Sequence, residues 1–178
     1  MNATLQLAIT EGFQGLSMSK IAKKAGIAPA TIYVYFENTE EIINHLYLDL
    51  KELVVADIMK GYYKGMDTEK GFKLIWRNYF NSLIKYADEF KYLEQFANCP
   101  YITQVSKEEG RRQFQRFFNF FEKAMASGEI KKMSSGLLLA LFIAPLSALA
   151  KNIISDRSQV DEESIEMAMQ STWLSMKQ

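Results

Sequence analysis

The sequence predicts an all-α protein: an N-terminal helix-turn-helix three-helix unit, residues 1–45, followed by a larger helical domain, residues 46–178. Three observations carry this. Apolar residues recur at three- and four-residue spacing along almost the whole chain, with no strand-like alternation of any length. Only three prolines and nine glycines interrupt its 178 residues. Helix-start residues, Ser17, Asn38 and Asp161, stand just ahead of the amphipathic runs MSKIAKKA, TEEI and EESI.

Each element follows from its own stripe. Leu5, Ile9 and Phe13 share one face of a first helix, and Ser17 opens a second. Asn38 opens a long helix carrying Ile42, Leu46, Leu50, Leu53 and Ile58, with Glu41 placed to complete a capping box. Phe72, Ile75, Trp76, Tyr79, Leu83 and Phe90 form a further stripe. Phe114, Phe117, Phe118, Phe121 and Met125 form another, and Ile165, Ala168, Met169, Thr172 and Met176 the last. Breaks fall at residues 12–15, 26, 37–38, 61–65, 98–100, 128 and 156–161, which divides the chain into eight or nine helices.

The 21 basic and 21 acidic side chains cancel, so the whole chain carries no charge signal for nucleic acid or a membrane surface. A single cysteine, Cys99, precludes an internal disulfide and fits a reducing, cytoplasmic location. No signal peptide is read at the start. The most apolar run, LLLALFIAPLSALA at 137–150, is shorter than the roughly 20 residues of a spanning helix, contains Pro145 and ends at Lys151. It is expected to be a core or interface helix, and no membrane partner is expected.

The segment AKKAGIAPATIYVYF, residues 22–36, has the spacing of a helix, a tight turn and a second short helix. Ile21, Ala22 and Ala25 form the inner face of the first helix. Gly26 suits the left-handed position that ends it, where a side chain would clash. Ile27 fills the corner, Pro29 starts the next helix where its missing N–H is harmless, and Ile32 and Phe36 return to the core. Pro29, Ala30, Thr31, Tyr33, Val34 and Tyr35 are left outside. Two readings fit: a reading helix for the DNA major groove, or a helical hairpin inside an ordinary bundle with Tyr33 and Tyr35 as packing residues. Charge favours the second. Residues 1–45 hold Lys20, Lys23 and Lys24 against Glu11, Glu37, Glu40 and Glu41, and the first arginine is Arg77.

The longer run EGFQGLSMSKIAKKAGIAPATIYVYFENTEEI, residues 11–42, resembles the signature of the tetracycline-repressor (TetR) family of bacterial transcription regulators. Gly12, Phe13, Ser17, Ile21, Ala22, Ala25, Gly26, Ile27, Thr31, Ile32, Tyr33, Tyr35, Phe36 and Glu40 or Glu41 match in register. The resemblance implies double-stranded operator DNA as a partner. It places Ser17, Met18, Ser19 and Lys20 near the DNA backbone and groove edge, and Ala28, Pro29, Ala30 and Thr31 on base edges or phosphates. Tyr33 and Tyr35 would reach phosphate oxygens, and Asn38 and Thr39 would offer the start of the next helix to a phosphate. The family also dimerises and holds an inducer among the helices of its larger domain. Three departures stand out. Thr39 stands where the family usually has Lys, and Ala28 where it often has a capping Ser or Thr. The chain also starts at Met1 almost inside the first helix, where the family usually has several more residues, including Arg or Lys; a truncated N-terminus is expected on that ground.

Residues 72–121 hold most of the aromatic rings. One reading is a core of large residues. However, adjacent pairs such as Tyr79-Phe80, Phe117-Phe118 and Phe120-Phe121 exceed what one buried stripe hides. The other reading is a pocket for a small hydrophobic ligand, walled by Trp76, Tyr79, Phe80, Leu83, Tyr86, Phe96, Tyr101, Phe114, Phe117, Phe118 and Phe121. No nucleophile–base pair, Gly-rich phosphate loop or spaced carboxylate pair stands out, so the sequence points away from an enzyme, a cofactor and a metal. His45, the only histidine, reads as part of a solvated face, and Cys99 as a small buried residue with no cation near it. The last two helices, about 134–155 and 161–176, are apolar on more than one face. Leu139, Phe142, Leu146, Leu149, Ile153, Met169 and Trp173 are the expected homodimer interface. The sequence thus predicts a ligand-responsive DNA-binding transcriptional repressor, released from its operator by a hydrophobic or aromatic small molecule. The alternative is a helical dimeric module that binds a small molecule or a protein without DNA.

Overall fold

The computed structural model describes residues 1–96, 99–155 and 160–178. Among these the chain forms ten α-helices: α1 (Asn2–Glu11), α2 (Met18–Ala25), α3 (Pro29–Ile32), α4 (Thr39–Ile58), α5 (Thr68–Lys85), α6 (Ala87–Phe96), α7 (Gln104–Gln113), α8 (Gln115–Ala126), α9 (Ser135–Ile154) and α10 (Glu162–Met176). One turn of 3-10 helix, Phe13–Gly15, links α1 to α2. Parts of two expected breaks, 98–100 and 156–161, lie outside the described residues.

Local signals place the helix starts. Ser17 Oγ accepts from the Lys20 N–H at 3.3 Å, Asn38 Oδ1 from the Glu41 N–H at 2.9 Å, and Asp161 Oδ1 from the Ser164 N–H at 2.8 Å. Glu41 closes its box one residue early, accepting from the N–H of Glu37 at 2.6 Å. The stripe from Phe72 to Phe90, expected as one element, is two helices. α5 stops at Tyr86, whose φ of −117° and ψ of 45° leave helical space, and α6 begins at Ala87. In α4 the buried line runs Leu50, Val54, Ile58, in steps of four, and Leu53 faces out.

The helices assort into two compact units. One comprises Met1–Leu53 with Asp88–Gln113, the other Val54–Ala87 with Phe114–Gln178. This differs from the division at 45/46, because α6 and α7 join the N-terminal helices and α4 runs through both units.

The second unit is organised by α5, α9 and α10, which pack pairwise. Phe142 of α9 is fully buried. Its ring centre lies 5.5 Å from that of Phe72, 6.1 Å from Tyr79, 5.4 Å from Phe117 and 5.3 Å from Phe121. Phe72 also meets Trp173 at 5.1 Å, and Trp76 stacks on Phe80 at 5.8 Å. Arg77 of α5 pairs with Glu162 and Glu166 of α10.

This packing corrects the expected dimer interface. Phe142, Leu146, Met169 and Trp173 are buried within their own chain. Leu138, Phe142, Leu146 and Ala150 form the inward line of α9, each four residues from the last. The opposite line, Leu137, Ala140, Ala144 and Ala148, is exposed, while Leu139, Leu149 and Ile153 are half-buried. α9 runs through Pro145 for 20 residues and contains an 18-residue window with a mean hydropathy of 2.0, long and apolar enough to cross a membrane and longer than the 14-residue run suggests. Only 22% of that window is buried within the chain.

Phe142→Ala should cost about 3–5 kcal/mol of unfolding free energy, read from urea denaturation, because four aromatic neighbours lose one shared partner. A second expectation concerns alkaline pH. Burial pushes the Tyr79 phenol up to about 12, and burial, with the charge of Cys99 adding to it, raises Tyr92 as well. The fold favours the neutral phenols. Stability should therefore fall as pH rises past the ordinary tyrosine value near 10, and for Tyr79 the loss should be complete only above about 12. In an absorbance titration these two of the nine tyrosines should ionise last, alongside the loss of helical circular dichroism.

Candidate nucleic-acid interface

The N-terminal head is built around one small cluster. Leu7, Met18, Ile21, Ala22, Ile32 and Ile42 are buried together, with Leu16 and Phe36 packed against them. Ala22 has no exposed surface, and its small side chain lets α2 be crossed closely. Gly26 has φ 70° and ψ 28°, a left-handed conformation that favours glycine. The Ile27 N–H bonds to the Ala22 carbonyl at 3.0 Å and the Gly26 N–H to that of Lys23 at 3.2 Å, closing the turn through the backbone. Ala28 is extended and supplies no side-chain cap, and Pro29 opens α3. Beyond α3 the chain continues in turns, with the Tyr35 and Phe36 N–H groups each 3.1 Å from the Ile32 carbonyl.

This geometry leaves a ridge in water. Residues 23–31 are all exposed, and Tyr33, Val34 and Tyr35 are 56%, 77% and 72% exposed. Ile32 turns inward and Phe36 is half-buried. Ser19, Lys20, Ala28, Pro29, Ala30, Thr31 and Asn38 are exposed, and Ser17 and Thr39 half-buried. Met18, expected at the groove edge, lies instead in the buried cluster, because the inner face of α2 runs through 18, 21 and 22. Ala25 is exposed, and Ile27 is 40% exposed; the corner is held by its backbone bonds rather than by an isoleucine plug.

The bracing of the head was not legible in the sequence. Asn44 of α4 is 8% exposed. Its amide nitrogen donates to the carbonyls of Glu40 and Tyr101, both at 2.8 Å, and its Oδ1 accepts from the Thr103 N–H at 2.9 Å and hydroxyl at 3.3 Å. The buried Tyr92 hydroxyl donates to the Ile43 carbonyl at 3.1 Å. The Phe13 ring sits 4.0 Å from Phe96 and 5.0 Å from Tyr101. His45 is exposed as expected, while Asn44 and Tyr47 beside it are buried. Cys99 is buried, with its Sγ 3.4 Å from the Tyr101 N–H.

Phe96 and Tyr101, expected in a ligand pocket, thus belong to the first unit, where they support Phe13. Trp76, Tyr79, Phe80, Leu83, Tyr86, Phe114, Phe117, Phe118 and Phe121 belong to the second. There Trp76, Tyr79, Phe80, Phe117 and Phe121 are buried, and Leu83, Tyr86, Phe114 and Phe118 are half-buried.

A closed three-helix cluster that holds a short second helix out in water, joined to a helical body, defines the helix-turn-helix class of DNA-binding transcriptional regulators. The model of the bacterial regulatory proteins of the tetR family matches residues 1–46, and that of the tetracyclin repressor-like C-terminal domain matches residues 68–177. The chain belongs to the TetR family of transcriptional regulators, whose members bind operator DNA, dimerise and respond to small ligands. It is 25% identical over 176 residues to an uncharacterised HTH-type transcriptional regulator of Haemophilus influenzae, covering 97% of this chain and 90% of that one. A TetR family transcription regulator from Marinobacter aquaeolei superposes with a TM-score of 0.90 at 24% identity, over 99% of this chain and 92% of that one. The transcriptional regulator FadR from Bacillus subtilis, in complex with stearoyl-CoA, superposes at 0.68 with 18% identity, over 97% and 93%.

Asn44→Ala should cost about 2–3 kcal/mol in chemical denaturation, since it takes from the Tyr101 carbonyl and the Thr103 N–H the partner they share. Faster amide exchange at residues 101–103 should accompany the loss.

Proposed function

We propose that this chain is a cytoplasmic repressor that grips double-stranded operator DNA as a homodimer and is released by a hydrophobic small molecule. The reading assigns DNA binding to residues 1–45, and ligand binding and dimerisation to residues 46–178. The observation that carries it is the exposed ridge of Pro29, Ala30, Thr31, Tyr33, Val34 and Tyr35, large apolar surface that a monomer leaves in water only for a partner. Ala28, Ala30 and Val34 suit the methyl groups of thymines. Tyr33 and Tyr35 offer hydroxyls to phosphates, and Ser17, Ser19, Lys20, Asn38 and Thr39 set the position of the head. With so few polar groups on the ridge, selectivity rests on DNA shape and on half-sites spaced about 34–36 Å apart.

The exposed line of α9, Leu137, Ala140, Ala144 and Ala148, supports a twofold dimer. Met167 and Leu174 on α10 are also exposed and would join that interface, with Leu139, Leu149 and Ile153 at its rim. A ligand site in the second unit is supported by Trp76. Its Nε1 is buried and finds no hydrogen-bond partner, a donor that costs about 1–3 kcal/mol to leave unpaired and that a ligand acceptor would satisfy. With Tyr79, Phe80, Phe117 and Phe121 in the same aromatic core, an acyl chain carrying a carbonyl is the first chemistry to test, and FadR's stearoyl-CoA is of that kind.

The low charge of the head favours the competing reading, a helical dimer without DNA, and one experiment separates them. A gel shift with the DNA upstream of the protein's own gene at low salt should show binding. Tyr33→Phe and Tyr35→Phe should each weaken it roughly three- to tenfold, equally on operator and unrelated duplex, because phosphate contacts carry no sequence information. Failure to bind any duplex at low salt would leave the DNA-free reading standing. Ala144→Glu should yield monomers in sedimentation velocity and abolish binding to paired half-sites.

A further inference from the structure

We propose that Glu11 is a built-in stand-in for a DNA phosphate: its carboxylate occupies Lys20 in the free head and is displaced when the backbone of a well-fitted site takes its place. The proposal rests on the DNA-binding reading above and adds a residue that tunes it.

Three cations lie within residues 1–45. Lys23 and Lys24 stand in the last turn of α2, where they complement the negative end of the helix. Lys20 stands in the first turn, at the positive end, where an ammonium is misplaced and an anion is welcome. Glu11 is the last residue of α1, at a negative end, where a carboxylate is equally misplaced. The two meet at 2.7 Å, so each offsets the other's unfavourable position. They remain 53% and 42% exposed, which makes the pair weak and exchangeable. Ser17 already holds the Lys20 backbone N–H, so the ammonium is the group that changes partner.

The backbone makes room for this arrangement. Gly15 is not among the left-handed glycines, so its φ does not demand glycine. Space does. A Cβ there would lie 2.3 Å from Glu11 Cβ and 3.0 Å from Oε2, the oxygen that holds Lys20. Any larger residue would press on the Glu11 Cβ, an atom held by the α1 backbone, so the turn must shift and the carboxylate with it. Non-specific binding lives on counterion release by cations, and a head whose Lys20 is already neutralised gains little from random DNA. A site that seats a phosphate at the start of α2 recovers the cation and the helix end together.

The test uses fluorescence anisotropy with a random-sequence duplex of about 30 base pairs, between about 50 and 200 mM salt. It compares the full chain with E11Q, K20Q, G15A and the E11Q/K20Q double variant. E11Q should bind roughly three- to tenfold tighter at the lowest salt and steepen the slope of log K against log salt by about 0.9. G15A, which keeps both charges but must shift the turn, should move the same way once its helical circular dichroism is shown to match the parent's. In the K20Q background the E11Q gain should vanish. If the gain survives undiminished there, the carboxylate acts by general repulsion and the proposal is wrong. It is equally wrong if E11Q changes nothing while the parent chain binds. Absence of binding by all five proteins overturns the DNA-binding reading and this proposal with it.

Discussion

The amide of Asn44 makes four hydrogen bonds, and the form of the N-terminal unit depends on them. A buried amide that lost its partners would cost more than it contributes, so the chain segments that satisfy it are held to it. Through Asn44, the start of α4 is tied to Tyr101 and Thr103. Tyr92 adds a second tie at Ile43, and Phe13 closes the unit against Phe96 and Tyr101. The three N-terminal helices are thus not an independent head on a flexible stalk. They form one body with α6 and α7, separated from them in sequence by the whole of α5.

That bracing lets the exposed ridge be almost free of interior duties. Six residues supply the buried cluster of the head, and α3 gives it only Ile32. The direction of the ridge comes from backbone chemistry: a left-handed Gly26, two N–H groups turned back onto α2, and a proline at the first turn of α3. Side chains at 28–31 and 33–35 are then at liberty to be chosen for a partner. They carry no charge, and Lys20 in the first turn of α2 is paired with Glu11.

In the second unit the corresponding centre is Phe142, with aromatic neighbours from α5 and α8. One line of α9 is spent on that core. Its other line keeps Leu137 and three alanines in water. A single helix thus carries two apolar faces, one used inside the chain and one that the proposed dimer would cover. Small residues on the outer line permit close approach of another helix.

How much of this was legible follows from the range of the forces. The caps at Ser17, Asn38 and Asp161, the glycine turn at 26 and the outward set of α3 are decided within four or five residues, and the sequence determined them. The helix-turn-helix and the family followed from the same local pattern. Long-range contacts decided the rest. Periodicity could show that α9 and α10 are too apolar for one face. It could not show that Phe142, Met169 and Trp173 are claimed by the chain's own core while Leu137, Met167 and Leu174 are left outside. Nor could it show that Phe96 and Tyr101 serve Phe13, that Met18 is buried, or that Asn44 is a strut. Burial is a competition among all apolar and polar groups of the folded chain, and its outcome exists only once distant helices have met.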